Sequence, residues 1–321
     1  MDHNTPAIVL GCHKIGLGVI RSLGEKGVPV VGVYYHQRSM GQYSRYVVAR
    51  YACAHPETDP DGFVDSLELL AAQWRGSVLL PSDDATLIIV SKNIDRLSRY
   101  FHIAVPEWPT VRKYIEKHRT YAIAERVSVP APKTLIAKEW PEIKAFIKRI
   151  GYPCLLKPSV GHRFYDIFGE KMLVIRDMCQ LEAAYAKTAC LRDDMMVQEL
   201  IPGDDTCGTN YNSFFVHGRP AIEVTAQKIR LSPRRIGFPC VLLSRRMPEI
   251  IEYGRRMISA IGYEGFSCME FKKDPRDGVH KLMEINGRLN LSLPLSARAG
   301  VNFAYYAYCH CLKGEIPDPP A

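Results

Sequence analysis

The chain has 321 residues and a formal net charge of +8, with 47% hydrophobic and 24% charged residues. This length suits about two domains of roughly 150 residues each, and the composition is that of an ordinary globular protein. No apolar run approaches the roughly 20 residues that a membrane-spanning helix needs, and the basic residues are dispersed, which disfavours membrane and nucleic-acid-binding proteins.

The cysteines and the N-terminus indicate a compartment. The ten cysteines are scattered without a Cys-x-x-Cys pair, and Cys309 and Cys311 lack partners with the spacing of a zinc site. The N-terminus has neither the basic segment nor the long apolar segment of a signal peptide. These features predict reduced thiols and a cytoplasmic protein.

The first part of the chain alternates strands and helices. It begins with an apolar strand at 6–10, a turn containing glycines at 11–18, a helix to Leu23 and a second strand at 28–34. The turn has the spacing G-x-x-x-x-G-x-G rather than the dinucleotide fingerprint G-x-G-x-x-G, and no acidic residue ends the second strand. A nicotinamide-dependent dehydrogenase is therefore disfavoured. The turn either packs the helix on the sheet or contacts a small molecule.

The alternation continues with a helix at about 62–74, a strand at 78–80 and a helix at about 85–99. Ser82, Asp83 and Asp84 follow this strand at the edge where open α/β sheets bind ligands, so they are candidates for contact with a substrate amine. Serine and aspartate are also common helix N-caps, and this structural role is the favoured interpretation. The extended, proline-rich segment 129–134 then separates this unit from the next.

Beyond this segment antiparallel strands dominate, which predicts an α+β unit. The predicted elements are a helix at 141–150, strands at 152–158 and 171–175, a helix at 178–189, an edge strand at 197–203, strands at 211–215 and 222–229, a basic loop at 230–239 and a helix at 248–261. Lysine is almost never fully buried without a partner. Lys157 in an apolar strand and Lys171 across a loop from it therefore predict a cradle for nucleotide phosphates.

The segment 268–290 predicts two strands joined by a turn at 274–278. Side chains alternate with a period of two, so Glu284 and Asn286 share a face, and Glu270 lies on the neighbouring strand. Carboxylate and amide oxygens are ligands that suit Mg²⁺. Burying the two like charges without a cation would cost on the order of several kcal/mol per ion, which favours a bound metal. Arg288 follows and can grip an oxyanion. The alternative is that a glutamate on such a strand simply lies on the solvent face, where Lys272 or Lys281 could pair with it.

A family resemblance rests on three blocks in a fixed order, YPCLLKP, VQELIPGDD and CMEFKKD…KLMEINGR. Together they resemble the ATP-grasp superfamily, in particular its carboxylate–amine ligase-like branch, over nearly the whole chain. The resemblance implies a Rossmann-like α/β pre-ATP-grasp domain over 1–110 and an ATP-grasp domain over 111–321. In the latter, two α+β subdomains, a small lid at about 135–198 and a C-terminal one at about 199–321, would grip ATP.

The resemblance implies a nucleotide site. Three lysines would contact the ATP phosphates, with the last of them as a helper: Lys117, Lys157 and Lys171. Three residues would line the adenine slot, largely through backbone groups: Gln198, Glu199 and Ile201. Asp205 would hold the ribose hydroxyls.

The resemblance also implies a metal site and an anion site. The ligands of Mg²⁺, or of Mn²⁺ in its place, would be Glu270, Glu284 and Asn286. Arg288 would stabilise the transferring phosphoryl group or an acyl phosphate. Arg230 and Lys228 are weaker candidates for contact with the γ-phosphate or a substrate carboxylate, and an ordinary basic strand end is an equal alternative. Gly287 stands where the family often has proline, which is expected to loosen the turn.

The activity implied by the resemblance is a two-step ligation. ATP phosphorylates a substrate carboxylate, and an amine attacks the resulting acyl phosphate to give an amide, ADP and phosphate. The partners would be a small-molecule carboxylate and an amine, with no nucleic acid and no membrane, and a homodimer is allowed. Two alternatives stay open: a small-molecule kinase and a non-catalytic nucleotide-binding regulatory module. The identities of the carboxylate and the amine are not encoded in a readable way.

Overall fold

A computed structural model of the chain describes residues 4–136, 139–159, 164, 167–170, 172–188, 190–191, 195–234 and 237–318. Three sheets organise these residues, one parallel and two antiparallel, with helices packed between and around them. This architecture confirms the predicted combination of α/β and α+β units. In the described ranges, no helix has both the length and the apolar character needed to cross a membrane.

The N-terminal unit is a parallel sheet covered on both faces. Its strands are β1 (Ala7–Leu10), β2 (Val30–Tyr34), β3 (Val47–Ala52), β4 (Val78–Pro81) and β5 (His102–Ile103), in the order β3-β2-β1-β4-β5. Its helices are α1 (Lys14–Gly24), α2 (Pro60–Trp74), α3 (Asp84–Lys92) and α4 (Ile94–Leu97). Strands buried on both faces carry apolar residues continuously, as β1 and β4 do, and this pattern made them readable.

Three departures from the predicted elements occur in this unit. Strand β3 was not predicted, because it lies at the sheet edge and its residues alternate between half-buried and exposed. Strand β5, at the opposite edge, was not predicted because it has only two residues. The helix predicted at 85–99 is divided at Asn93, whose side-chain Nδ2 donates to the carbonyl of Ile89 at 2.8 Å.

Two helices connect the units, α5 (Trp108–Ile115) and α6 (Lys117–Arg126). Val111, Tyr114 and Ala124 belong to a hydrophobic core that also contains Met269 and Ile285 of the C-terminal unit. The connecting helices therefore share a core with the C-terminal unit. The boundaries predicted for the domains and subdomains stay predictions.

A small antiparallel sheet follows. It comprises β6 (Thr134–Leu135), β7 (Cys154–Pro158), β8 (Leu173–Ile175) and β9 (Met195–Glu199) in the order β6-β9-β7-β8, with helices α7 (Trp140–Ile150) and α8 (Met178–Lys187). A strand does occur in the segment predicted at 197–203, but its predicted edge position is wrong, because β9 pairs with β6 on one side and β7 on the other. Gln198, the fourth residue of β9, is fully buried.

The second antiparallel sheet carries the predicted hairpin. Its strands are β10 (Gly208–Val216), β11 (Arg219–Ser232), β12 (Phe238–Ser244), β13 (Gly265–Lys273) and β14 (His280–Asn286), in the order β12-β11-β10-β13-β14, and α9 (Pro248–Ile261) packs on it. The hairpin β13–β14 confirms the prediction for 268–290. The segment predicted as a loop at 230–239 instead ends β11 and begins β12, a largely exposed edge strand without a period-two apolar pattern.

The last two helices return to the N-terminal sheet. They are α10 (Leu293–Arg298) and α11 (Phe303–Lys313). Asn302 donates from Nδ2 to the carbonyl of Ser22 at 2.7 Å, and the hydroxyl of Tyr308 donates to the carbonyl of Thr5 at 2.6 Å. Phe303 and Ala304 belong to the same hydrophobic core as Val9 of β1. The first and last parts of the chain therefore share one core.

The turn after β4 is held by the carboxylate of Asp83, the N-cap of α3. The backbone N–H and the hydroxyl of Thr86 each donate to Oδ1 at 2.8 Å, His13 Nε2 lies 3.0 Å from Oδ2, and the Tyr35 hydroxyl also donates to Oδ2. Burial raises the pKa of Asp83, but these hydrogen bonds outweigh it and hold the pKa below its usual value. The favoured helix-cap interpretation is thus the observed one for Asp83.

We expect Asp83→Ala to lower the free energy of unfolding by about 2–3 kcal/mol, because it removes a helix cap and leaves several donors without their acceptor. Asp59 is the matched control, since it caps α2 from an exposed position and accepts from the N–H of Gly62 at 3.0 Å. Asp59→Ala should cost about 1 kcal/mol. Equal losses for the two variants in urea denaturation would contradict the central role of Asp83.

Candidate functional site

A row of polar side chains crosses the second antiparallel sheet. Glu270 of β13 lies directly opposite Glu284 of β14, and on its other side it lies opposite Asn210 of β10. Directly opposed residues of antiparallel strands point to the same face, so these three side chains are neighbours. Asn286 is also buried, and its Nδ2 lies 3.5 Å from Oε1 of Glu284. The structure thus brings together the three side chains predicted as metal ligands.

Glu270 pairs with a lysine of another strand, and the two lysines considered as partners within the hairpin make other contacts. Lys281 pairs with Asp274 at 2.6 Å, and Lys272 donates to the carbonyl of Ile201 at 2.9 Å. Lys228, which reaches across from β11, forms the ion pair with Oε2 of Glu270. Burial lowers the pKa of Lys228, but Glu270 more than compensates and raises it above the usual value. Lys228 therefore serves as the counter-ion of this carboxylate.

Glu284 is a half-buried carboxylate surrounded by cationic side chains. Burial raises its pKa, but the surrounding positive charges outweigh this effect and hold the pKa below its usual value. The side chains responsible are Lys117, Lys228, Lys157 and Arg288. They come from α6, β11, β7 and the turn after β14. Glu284 is therefore an ionised group at the meeting point of several parts of the fold.

Lys157 and Lys117 are held in an environment that disfavours their charge. Lys157 is 8% exposed, and its Nζ lies 3.4 Å from the hydroxyl of Tyr121, which itself donates to the carbonyl of Met283 at 2.7 Å. Burial lowers the pKa of Lys157 to about 8, partly opposed by Glu284. Burial and the nearby Lys157 lower the pKa of Lys117, which also stands unfavourably at the first position of a helix. Lys157 is buried and Lys117 is half-buried, and two ammonium groups in such surroundings form a site that suits an anion.

The residues predicted for the adenine and ribose contacts lie around β9. Gln198 donates from Nε2 to the Thr134 hydroxyl at 2.7 Å, and Glu199 pairs with Arg276 at 2.6 Å. Ile201 is buried and accepts from Lys272. Asp205 accepts from the N–H of Leu231 at 2.9 Å. Their contacts with a nucleotide stay predictions.

Two other predicted site residues are placed differently. Arg230 is exposed on β11, at an irregularity in its register with β12. Lys171 lies outside the described residues. The predicted roles of both stay predictions.

Arg288 connects the row to the N-terminal unit. Its Nε lies 3.1 Å from Oδ1 of Asp84 and its Nη2 lies 3.3 Å from Oδ2. Burial lowers the pKa of Arg288, but Asp84 and Glu284 raise it above the usual value. The two neighbouring aspartates therefore differ in role: Asp83 caps α3, and Asp84 forms the ion pair with Arg288.

Sequence reasoning missed Tyr121 and Asn210. Tyr121 stands four residues after Lys117 in a helix, and this spacing places both on one face, so it was a readable signal. Asn210 carries no such signal, because its position opposite Glu270 depends on strand pairing 60 residues apart in sequence. Its Oδ1 is buried without a hydrogen-bond partner among the described residues. Such an amide oxygen is available to a cation or a ligand.

The chemistry of the site is that of oxygen donors facing ammonium and guanidinium groups. Within the described ranges, no group of three or more His, Cys, Asp and Glu side chains could hold a metal ion. The candidate cation site therefore consists of two carboxylates with amide oxygens. Hard oxygen donors in small number suit Mg²⁺, which usually completes its coordination with substrate phosphates and water.

Comparisons with known proteins agree with this geometry. Residues 227–321 match a family model described as "ATP-grasp in the biosynthetic pathway with Ter operon". The chain is 26% identical to D-aspartate ligase of Enterococcus faecium, over 93% of this chain and 75% of that protein.

Solved structures show the same fold. A biotin carboxylase from Campylobacter jejuni, in its beta-gamma-ATP complex, matches with a TM-score of 0.78 and 18% identity, over 98% of this chain and 72% of that one. An L-amino acid ligase from Bacillus licheniformis matches with a TM-score of 0.73 and 15% identity, over 99% and 78%.

Gly287, between Asn286 and Arg288, is required by packing. A Cβ atom there would lie 2.2 Å from the hydroxyl oxygen and 2.3 Å from Cζ of Tyr114. The hydroxyl of Tyr263 donates to the carbonyl of Gly287 at 3.0 Å. The turn was expected to be loosened by glycine, but in the structure these two tyrosines pack against it.

Lys157 gives the first functional prediction. With EDTA present, so that the cation site is empty, the Kd for ATP should rise up to about tenfold per pH unit above pH 8, because the ammonium of Lys157 deprotonates there. Lys157→Arg should lose the part of this rise that begins near pH 8, since arginine stays charged. Titration calorimetry between about pH 7.5 and 9.5 measures the effect. Identical profiles for both proteins would contradict the assignment of Lys157 to the phosphates.

We expect Gly287→Ala to destabilise the fold by about 1–3 kcal/mol through overpacking against Tyr114. Gly18 in α1 is the matched control, because a Cβ atom there would meet nothing within 4 Å. Gly18→Ala should be neutral or stabilising by up to about 1 kcal/mol, owing to helix propensity. Thermal unfolding of the two variants compares them directly, and equal stability would show that Tyr114 moves aside at no cost.

Proposed function

The chain belongs to the ATP-grasp superfamily, and from this premise we propose that it is an ATP-dependent ligase that joins a carboxylate to an amine. The observation that carries the proposal is the ionised Glu284, which lies opposite Glu270 and among four cationic side chains. A half-buried carboxylate pair among cationic side chains is suited to a polyphosphate with its divalent ion. The names of D-aspartate ligase and L-amino acid ligase, two similar proteins, support amide formation as the reaction.

In this proposal the nucleotide lies between the small sheet and the row on the larger sheet. Lys117 and Lys157 neutralise its phosphates from opposite elements, and Lys171 assists them. The backbone at Gln198, Glu199 and Ile201 lines the adenine slot, and Asp205 holds the ribose. The pKa values of Lys117 and Lys157 are lowered in the structure, and an arriving phosphate stabilises the charged forms, so nucleotide binding is coupled to the protonation of these two lysines.

The cation site of the proposal comprises Glu270, Glu284 and Asn286. The donor set fits Mg²⁺ and also Mn²⁺, both of which accept carboxylate and amide oxygens. When bound, the cation supplies charge neutralisation between the phosphate groups. Lys228 balances Glu270 in the structure and stays close to the substrate as a second positive group.

The proposed reaction has two steps. A carboxylate oxygen of the substrate attacks the γ-phosphorus, and the bond to the β–γ bridging oxygen breaks, which yields an acyl phosphate and ADP. The amine nitrogen then attacks the acyl carbon, phosphate leaves with the bonding electron pair, and the nitrogen loses a proton. Arg288 stabilises the phosphoryl oxygens, with Arg230 and Lys228 as further cationic groups. The chain contributes positioning and charge rather than a nucleophile of its own.

The remaining parts of the proposal concern its setting. The substrates are a small-molecule carboxylate and an amine. A cytoplasmic location follows the reduced state expected of the cysteines, all of which are free in the structure. The proposed assembly of the chain is a homodimer.

The test is an ADP-release screen with amino acids offered in pairs, followed by mass spectrometry of the product. Glu284→Ala should lower turnover by at least about 100-fold, because it removes a proposed metal ligand and the anion that balances the lysines. Glu252→Ala is the control, since this glutamate lies in an exposed i,i+4 pair with Arg256 and should retain activity. Full activity of Glu284→Ala would contradict the metal site.

Hydroxylamine separates the ligase from a kinase. An acyl phosphate formed in the first step reacts with hydroxylamine to give a hydroxamate, whereas a phosphate ester is stable to it. A hydroxamate formed in the absence of the amine supports ligation through an acyl phosphate. A phosphorylated product that resists hydroxylamine would replace the proposal with a small-molecule kinase.

A further inference from the structure

The ion pair between Arg288 and Asp84 crosses from the hairpin to the turn after β4, between positions 204 residues apart in the chain. The side chain of Arg288 is 15% exposed and that of Asp84 is 38% exposed. Partial shielding from water strengthens such a pair relative to a fully exposed one. The pair is therefore a specific contact between the N-terminal unit and the candidate site.

The carboxylate of Asp84 is presented from a rigid support. Asp84 is the first residue of α3, and it follows Asp83, whose own carboxylate accepts from the backbone and hydroxyl of Thr86, from Tyr35 and from His13. These bonds fix the turn to β4 and to the neighbouring strand ends of the parallel sheet. Asp84 can therefore hold another side chain in place, as a mobile surface carboxylate could not.

The pairing occupies only one edge of the guanidinium. An arginine side chain has five N–H donors in a planar fork. Asp84 engages Nε–H and one N–H of Nη2, which leaves three N–H groups for another acceptor. Arg288 stands two positions after Asn286, just beyond the end of β14, the strand that carries Glu284. Its three remaining N–H donors are therefore close in the chain to the proposed metal ligands.

We propose that Asp84 is a positioning residue for the reaction, which holds Arg288 so that its free N–H groups face the transferring phosphoryl group. This role rests on the proposed ligase function. Without Asp84, Arg288 samples other rotamers, and a smaller fraction of enzyme molecules has the guanidinium in place when phosphate transfer occurs.

A purely structural role for Asp84 makes a different prediction. A carboxylate in the first turn of a helix interacts favourably with the helix dipole, and its loss would lower stability without a specific effect on turnover. Asp61 occupies the same first turn in α2 and is exposed, so it reports this dipole contribution alone. The comparison of Asp84 with Asp61 separates the two roles.

The first experiment compares Asp84→Asn, Asp84→Glu and Asp61→Asn in the full chain. For Asp84→Asn we expect kcat to fall about 10- to 100-fold, while KM for ATP changes less than about twofold and unfolding resembles that of Asp61→Asn. Asp84→Glu keeps the charge and should recover part of kcat. Wild-type kcat in Asp84→Asn, or a loss confined to stability, would overturn the positioning role.

The second experiment is a double-mutant cycle with Arg288→Ala. Because Asp84 acts through Arg288, Asp84→Ala should cause no further loss of kcat once Arg288 is absent. Independent, multiplicative losses would show that Asp84 acts on the substrate or elsewhere and would overturn the proposal. Failure of the wild-type chain to release ADP with any substrate pair would overturn the ligase function and this role together. If the wild-type chain turns over but the losses of kcat in Asp84→Ala and Arg288→Ala multiply in the double variant, only the positioning role of Asp84 is overturned.

Discussion

The structure depends on the balance of charge around one half-buried carboxylate, that of Glu284. Partial burial disfavours its ionised form, and cationic groups from elements that are far apart in the chain keep it ionised. Lys157 comes from the small sheet, Lys117 from a connecting helix, Lys228 from the larger sheet and Arg288 from the turn that follows its last strand. Removing any one of these charged side chains leaves the remaining charges of the cluster without full compensation. The relative placement of these elements is therefore tied to the same charges that would receive a polyphosphate.

Much of this site could be predicted from the sequence because its signals are local. Alternation with a period of two placed Glu284 and Asn286 on one face, and a single charged residue in an apolar strand marked Lys157. The hairpin and most of the parallel sheet followed from such patterns, and the ATP-grasp fold was implied by the family resemblance of three motifs in a fixed order. The helix-cap interpretation of Asp83 also followed from a local preference, because aspartate is common at the N-cap position of helices.

What could not be predicted depends on distant parts of the chain. The edge strands β3 and β12 carry no strong apolar pattern. The interior position of β9 depends on one partner strand on each side, β6 and β7. The contact of Arg288 with Asp84 and the packing of Tyr114 on Gly287 join residues more than 170 positions apart. No periodicity within either segment encodes such pairs. They arise only when the sheets have assembled around their shared cores.

The placement of α11 has a consequence for the order in which the protein folds during synthesis. Its residues complete a core with β1 and α1, and Tyr308 bonds to Thr5 across 303 positions. On the ribosome, the face of the N-terminal sheet that α11 covers stays partly exposed until this last described helix has been translated. The final packing of this sheet is therefore a late event, and the nascent chain is open to chaperones until then.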